Sequence, residues 1–145
     1  MFKHLLVPTD GSKLSDDTVD KAVSFAKDAN AKITFVHVEQ PVPTVMYTEG
    51  TPTNAPESYA SATDSEAMQI LNRCGALAEE AGVAFAIRIA VNHAPNEAII
   101  AAAEAAACDL IFMASHGRRG LKGLVLGSET HKVLTHTKIP VLVYR

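Results

Sequence analysis

Glycines at positions 117, 120, 123 and 127 fall within eleven residues of MASHGRRGLKGLVLGSETHKVL (113–134), and His116, Arg118, Arg119 and Lys122 stand among them. Glycine is entropically costly, so such a density marks a backbone that takes unusual dihedrals or lets something approach closely. Bare amides running into a helix that begins at Ser128 would form a nest for phosphate, with a favourable dipole and added cationic side chains. A chain that only has to turn uses the same residues, and glycine spacing by itself leaves both readings open. A second candidate is PTDGS (8–12). Asp10 is placed to accept from ribose hydroxyls or to help hold a divalent ion bound by phosphates, while Asp10-Gly11-Ser12 equally reads as a turn and helix cap. Ser128 has the same double reading, cap or ligand, and His116 is a plain loop residue unless the pocket is filled.

Other chemistries lack their signatures. GxxxxGK[ST] and GxGxxG do not occur, so neither a P-loop nor a dinucleotide fingerprint is present. No local motif marks a nucleophile. None of the six histidines forms an HxxxH or HxH pair, and Cys74 and Cys108 have no Cys or His at metal-ligand spacing. The cysteines are expected to be reduced, half-buried thiols, and no site made of protein ligands alone is expected for a metal.

Charge is divided unevenly. Residues 1–115 carry seven Lys+Arg against fifteen Asp+Glu, and residues 116–145 carry six against the single acid Glu129, so −8 stands beside +5 in a chain of net −3. The overall sign argues against general affinity for nucleic acid, and the positive part begins where the glycines begin. No apolar run approaches a bilayer span, and MFKHLLVPTD lacks the layout of a signal peptide. A cytoplasmic protein that uses no membrane is expected, with residues 1–145 forming one domain.

The elements that must position these residues alternate in type. Short apolar runs at 4–9, 32–39, 83–91, 109–115 and 139–144 read as five strands, separated by stretches of helical period. Helices are expected from Ser12 or Ser15 to Ala29, over 57–81, from Pro95 to about Ala107, and from Ser128. Residues 40–56, with four prolines, read as an irregular loop, either a lid or a passive linker. Strand–helix alternation with right-handed crossovers predicts an α/β fold: a doubly wound five-stranded parallel sheet of order 3-2-1-4-5 with helices on both faces. Ligands bind outside the carboxyl ends of the strands where the order reverses. There, Pro8-Thr9-Asp10-Gly11 would meet the glycine loop, and Val38 on the neighbouring strand would offer apolar surface and backbone groups to a base.

LLVPTDGS, MASHGRRGLKGLVLGS and KIPVLVYR resemble the universal stress protein family, and the alternation of elements carries the likeness over nearly the whole chain. ATP-binding members carry G-x2-G-x9-G-[ST]. Here Gly117, nine intervening residues, Gly127 and Ser128 match, with Ala114 at the first glycine position. The resemblance implies that Pro8, Thr9, Asp10 and Val38 line the adenine and ribose side. It places Ala114, His116, Gly117, Gly127, Ser128 and Glu129 along the ribose and phosphates, and Met113 and Arg118, in the same segment, are candidate binding residues with them. Ala114 fits at little cost if its φ is negative, and otherwise costs on the order of 1 kcal/mol or crowds the ligand.

The resemblance implies a stress-associated module that binds ATP or another adenine nucleotide, with any Mg or Mn held mainly by the phosphates. It also implies a homodimer through residues 139–144, an apolar run suited to a sheet edge. Slow ATP hydrolysis in the same cleft is a rival reading, although no residue is identifiable as a base. A homodimeric interaction module without nucleotide is another, favoured only by Ala114.

Overall fold

The computed structural model describes residues 1–42, 45–54, 57–118 and 126–145. Arg119, Gly120, Lys122 and Gly123 lie outside the described residues. The chain runs β1 (His4–Pro8), α1 (Lys13–Ala29), β2 (Lys32–Glu39), β3 (Val45–Thr48), β4 (Thr51–Asn54), α2 (Glu57–Ala81), β5 (Phe85–Val91), α3 (Pro95–Ala105), β6 (Leu110–Ala114), α4 (Ser128–His136) and β7 (Val141–Tyr144). The main sheet has the order β5-β2-β1-β6-β7, all parallel. Counting only its own strands along the chain, this is the expected 3-2-1-4-5 arrangement.

Strand alternation builds two cores from one sheet. Leu5, Val7, Ile33, Phe35, Leu110 and Phe112 face α1 and α2, and meet Val19, Ala22, Val23, Ala26, Leu71 and Ala78. Leu6, Val36, Ile111 and Met113 face the other way, against Ile99, Ala102, Ala103 and Val133 of α3 and α4. Because β1 and β6 lie between two helical layers, their side chains are apolar on both faces, as buried parallel strands require. Helix α1 follows from local rules: the Ser12 side chain caps it by accepting from the Ser15 N–H, and Asn30 ends it in the left-handed region at φ 50°.

The irregular loop expected over 40–56 is corrected by the structure. Residues 45–54 form an antiparallel hairpin, β3–β4, turning through Glu49 and Gly50 at φ 52° and 79°. Positive φ at both central residues is the mark of a type I′ turn, whose twist matches that of the strands it joins. Pro52 does not prevent the pairing. Thr48 and Thr51 flank the two-residue turn as a hydrogen-bonded pair, so the next pair, Tyr47 and Pro52, needs no ladder bond from the proline nitrogen.

Cys74 and Cys108 are free and fully buried, not half-buried, and burial pushes both thiols up to about 11. Among the described residues no helix is long and apolar enough to cross a membrane, and no His, Cys, Asp or Glu cluster is arranged to hold a metal ion.

Candidate functional site

The sheet order reverses between β1 and β6, whose carboxyl ends lie side by side. Beyond β1 the ladder continues for one residue, through Thr9 N–H to the Val36 carbonyl at 2.9 Å. The loop then closes on itself through hydroxyl groups. Ser15 Oγ donates to Thr9 Oγ1 at 3.0 Å and accepts from the Asp10 N–H at 3.2 Å. His37 Nδ1, 2.8 Å from the Thr9 carbonyl, must carry the proton of that bond.

Asp10 joins the two loops. Its Oδ1 accepts from the Ser12 N–H at 2.9 Å, and its Oδ2 from the Arg118 N–H at 2.8 Å, across 108 residues of sequence. Gly117 makes this possible: a Cβ there would stand 2.6 Å from Asp10 Oδ2. Gly127 closes the far end of the loop by donating its N–H to the Ser115 carbonyl at 2.6 Å. With φ −72° its backbone is ordinary, but a Cβ would lie 3.1 Å from the His116 Cα and the Ser115 carbonyl oxygen. Close approach, not an unusual dihedral, is what the two described loop glycines serve. Gly11 differs, having φ 73° as well as Ile70 and the Arg118 guanidinium at contact distance.

Helix α4 begins at Ser128 with Gly127 as its N-cap, so Ser128 is the first helical residue and not the cap. A glycine cap supplies no side-chain acceptor, and the positive end of α4 keeps its first-turn amides for another partner. His116 Nδ1 lies 3.1 Å from Ser115 Oγ in a hydrogen bond. The Arg118 guanidinium turns to α2, with both terminal nitrogens 3.2 Å from Glu66 Oε1. Both partners are half-exposed, so this pair contributes little to stability.

Ala114 ends β6 with a negative φ, and its carbonyl accepts from Thr130 Oγ1 at 3.0 Å. The alanine therefore fits the backbone without strain. Val38 packs at the margin of the second core. Pro8 is in register with Val36, whereas the Met113 side chain is buried in that core. The Glu129 carboxylate points to α3, accepting from the Asn96 N–H at 2.9 Å.

Sequence reasoning overlooked His37, Glu39 and Glu66. Glu39, at the carboxyl end of β2, is 6% exposed, and its Oε1 has no hydrogen-bond partner among the described residues. Burial first, and then the Asp64 charge, hold its carboxyl above the usual range. A buried acid with a raised folded pKa stabilises fully below its unfolded value of about 4.3, and that contribution is lost as pH rises through the folded value. Glu39→Gln is therefore expected to be more stable than the parent at pH 8, with the gap closing toward pH 4. Urea melts at the two pH values check this; equal differences at both would contradict it. An acid at a strand end is the only trace Glu39 leaves in the sequence.

An open parallel sheet whose two reversal-point loops are tied together beside an uncapped helix N-terminus is the doubly wound α/β architecture, in which crevices for ligands lie at the reversal point. The profile of the universal stress protein family matches residues 1–145. Universal stress protein YxiE of Bacillus subtilis is 34% identical, with all of both chains covered. The structure of MJ0577, a universal stress protein of Methanocaldococcus jannaschii, superposes with a TM-score of 0.80 at 25% identity, covering 99% of this chain and 95% of that one. A universal stress protein in complex with cAMP shares the fold at a TM-score of 0.74 and 24% identity, with 99% and 97% covered. The chain belongs to the universal stress protein family.

Proposed function

We propose that this single domain binds ATP or a related adenine nucleotide where β1 meets β6, and that nucleotide occupancy regulates its conformation or partner binding in the stressed cytoplasm. The observation that carries this reading is the Asp10 bridge. It draws the Pro8-Thr9-Asp10 turn and the Gly117-Arg118 segment against each other within reach of the α4 N-terminus. Two of the roughly four lone-pair sites of the carboxylate are taken by amides, and the rest are available to ribose hydroxyls. Gly127 and Ser128 offer the positive helix end to phosphate, with the His116 ring and the Arg118 backbone beside it. Thr9, Val38 and Ala114 complete the lining, and Met113 contributes from beneath through the strand that carries it. Family membership supports an adenine nucleotide as the ligand, and the same fold holds an adenine ligand in the universal stress protein solved with cAMP. Mg²⁺ or Mn²⁺ would be held mainly by the phosphates.

Isothermal titration with ATP and Mg²⁺ or Mn²⁺ tests the reading, as does mass spectrometry of any small molecule released on unfolding gently purified protein. Absence of heat and of a thermal shift at millimolar nucleotide would overturn it. Recovery of intact nucleotide after prolonged incubation is expected, since no side chain among the described residues of the site is identified as a base; steady release of ADP would favour a slow ATPase. The nucleotide-free alternative loses its main support, because Ala114 strains nothing.

The dimer is proposed through β7. The Ile111 N–H bonds the Pro140 carbonyl and the Ser115 N–H bonds the Tyr144 carbonyl, so even-numbered residues of β7 pair with β6. By parallel-ladder alternation, the Val141 and Val143 amides face the free edge. Val143→Pro should thus yield a folded monomer where the parent is a dimer by light scattering; a parent that is monomeric at micromolar concentration refutes the dimer.

A further inference from the structure

Helices α3 and α4 both begin without a side-chain cap of their own. The α3 N-cap is Ala94 and the α4 N-cap is Gly127, and neither supplies a side-chain acceptor. At α3 the missing acceptor comes from α4. Glu129 Oε2 accepts from the Asn96 N–H at 2.9 Å. With the Asn96 amide oriented to satisfy both its ends, the same oxygen accepts from Asn96 Nδ2 at 3.1 Å, while Asn96 Oδ1 accepts from the Glu97 N–H at 3.3 Å. Asn96 is only 8% exposed, so these donors have little access to water. The other oxygen, Oε1, takes Lys132 Nζ at 3.1 Å. A carboxylate at a helix N-terminus is favoured by the dipole and forms charge-assisted hydrogen bonds.

We infer that Glu129 is a positioning residue of the nucleotide turn, acting through a cross-helix cap that ties α4 to α3, and not a ligand of the nucleotide. The inference rests on the binding reading given above. The first turn of α4 has three anchors. Gly127 N–H to the Ser115 carbonyl and Thr130 Oγ1 to the Ala114 carbonyl both fasten it to the end of β6. Among the described residues, Glu129 makes the hydrogen bond that fastens it sideways, to α3. Without that third anchor the turn is hydrogen-bonded only to the end of β6, and the Ser128 amide loses its fixed aim at a phosphate. Preorganised donors are worth more than mobile ones because no ordering cost falls on binding.

Three proteins decide the matter: the parent, Glu129→Ala and Glu129→Gln, compared by amide hydrogen exchange at Asn96 and by titration with ATP and Mg²⁺. Glutamine keeps an acceptor for Asn96 but no charge. The expected result is loss of Asn96 protection and about tenfold weaker ATP binding in Glu129→Ala, with both properties largely restored in Glu129→Gln. If Glu129→Gln binds as weakly as Glu129→Ala while Asn96 stays protected, the charge itself meets the ligand or its metal and the inference is wrong. If Asn96 loses protection in Glu129→Ala while ATP affinity is unchanged, the tether positions nothing and the inference is again wrong. Unaltered Asn96 protection in Glu129→Ala would remove the tether altogether. A parent that binds no nucleotide defeats the functional reading instead, and hydrogen exchange still decides whether the tether exists.

Discussion

Gly127→Val is expected to weaken adenine nucleotide binding by at least about 100-fold, near 2.7 kcal/mol, in isothermal titration. The first added carbon would stand 3.1 Å from the His116 Cα, the His116 Cβ and the Ser115 carbonyl oxygen. Two of those three atoms are backbone, so no rotamer change relieves the contact. The hydrogen bond from the Gly127 N–H to the Ser115 carbonyl holds the same atoms together, leaving the helix start to move as a unit. The branched γ carbons of valine enlarge the shift and add bulk where the phosphates are proposed to lie. Gly127→Ala should weaken binding less, by about tenfold, because a few tenths of an ångström of adjustment accommodates one methyl. If valine binds as well as glycine, the α4 N-terminus is not the anion site.

Phe35→Ala should cost about 3–5 kcal/mol of folding stability, a large part of what a domain of this size possesses. Phe35 is fully buried in the middle of β2 and packs within the α1–α2 core, with the Phe85 ring 6.3 Å away. Truncation leaves a cavity in the core cluster that Phe35 shares with Leu5, Ile33, Leu71 and Cys74, on elements fixed by their own ladders and helices, so collapse is limited. Urea denaturation gives the difference from the shifted midpoint at unchanged slope. His37, two residues on, still bonds the Thr9 carbonyl, so the folded fraction is expected to keep its nucleotide affinity. A loss below about 1 kcal/mol would mean that the core repacks around the gap, as volume-tolerant cores do.

Much of this protein follows from residue order alone. Period-2 and period-3.6 patterning is a local consequence of which face must be buried, so five of the strands, the four helices and the 3-2-1-4-5 order are legible in the chain. The glycines at 117 and 127 and the turn at Asp10 likewise marked the two loops that the structure brings together at the reversal point, where a ligand is proposed to sit. Tertiary structure decided what those residues do there. That Gly117 exists to admit the Asp10 carboxylate depends on a contact across 107 residues, which no local pattern encodes. The same holds for Glu129, which reaches Asn96 across a helix seam, and for Glu39, whose burial follows from how α2 lies over the end of β2. The hairpin at 45–54 was hidden for a different reason: the four prolines of 40–56 argued against strands, and only the register showed that Pro52 falls where no ladder bond is needed. Periodicity reports which face of an element turns inward, whereas hydrogen bonds between distant loops are set by the angles and spacings at which whole elements pack, and those exist only once the sheet has formed.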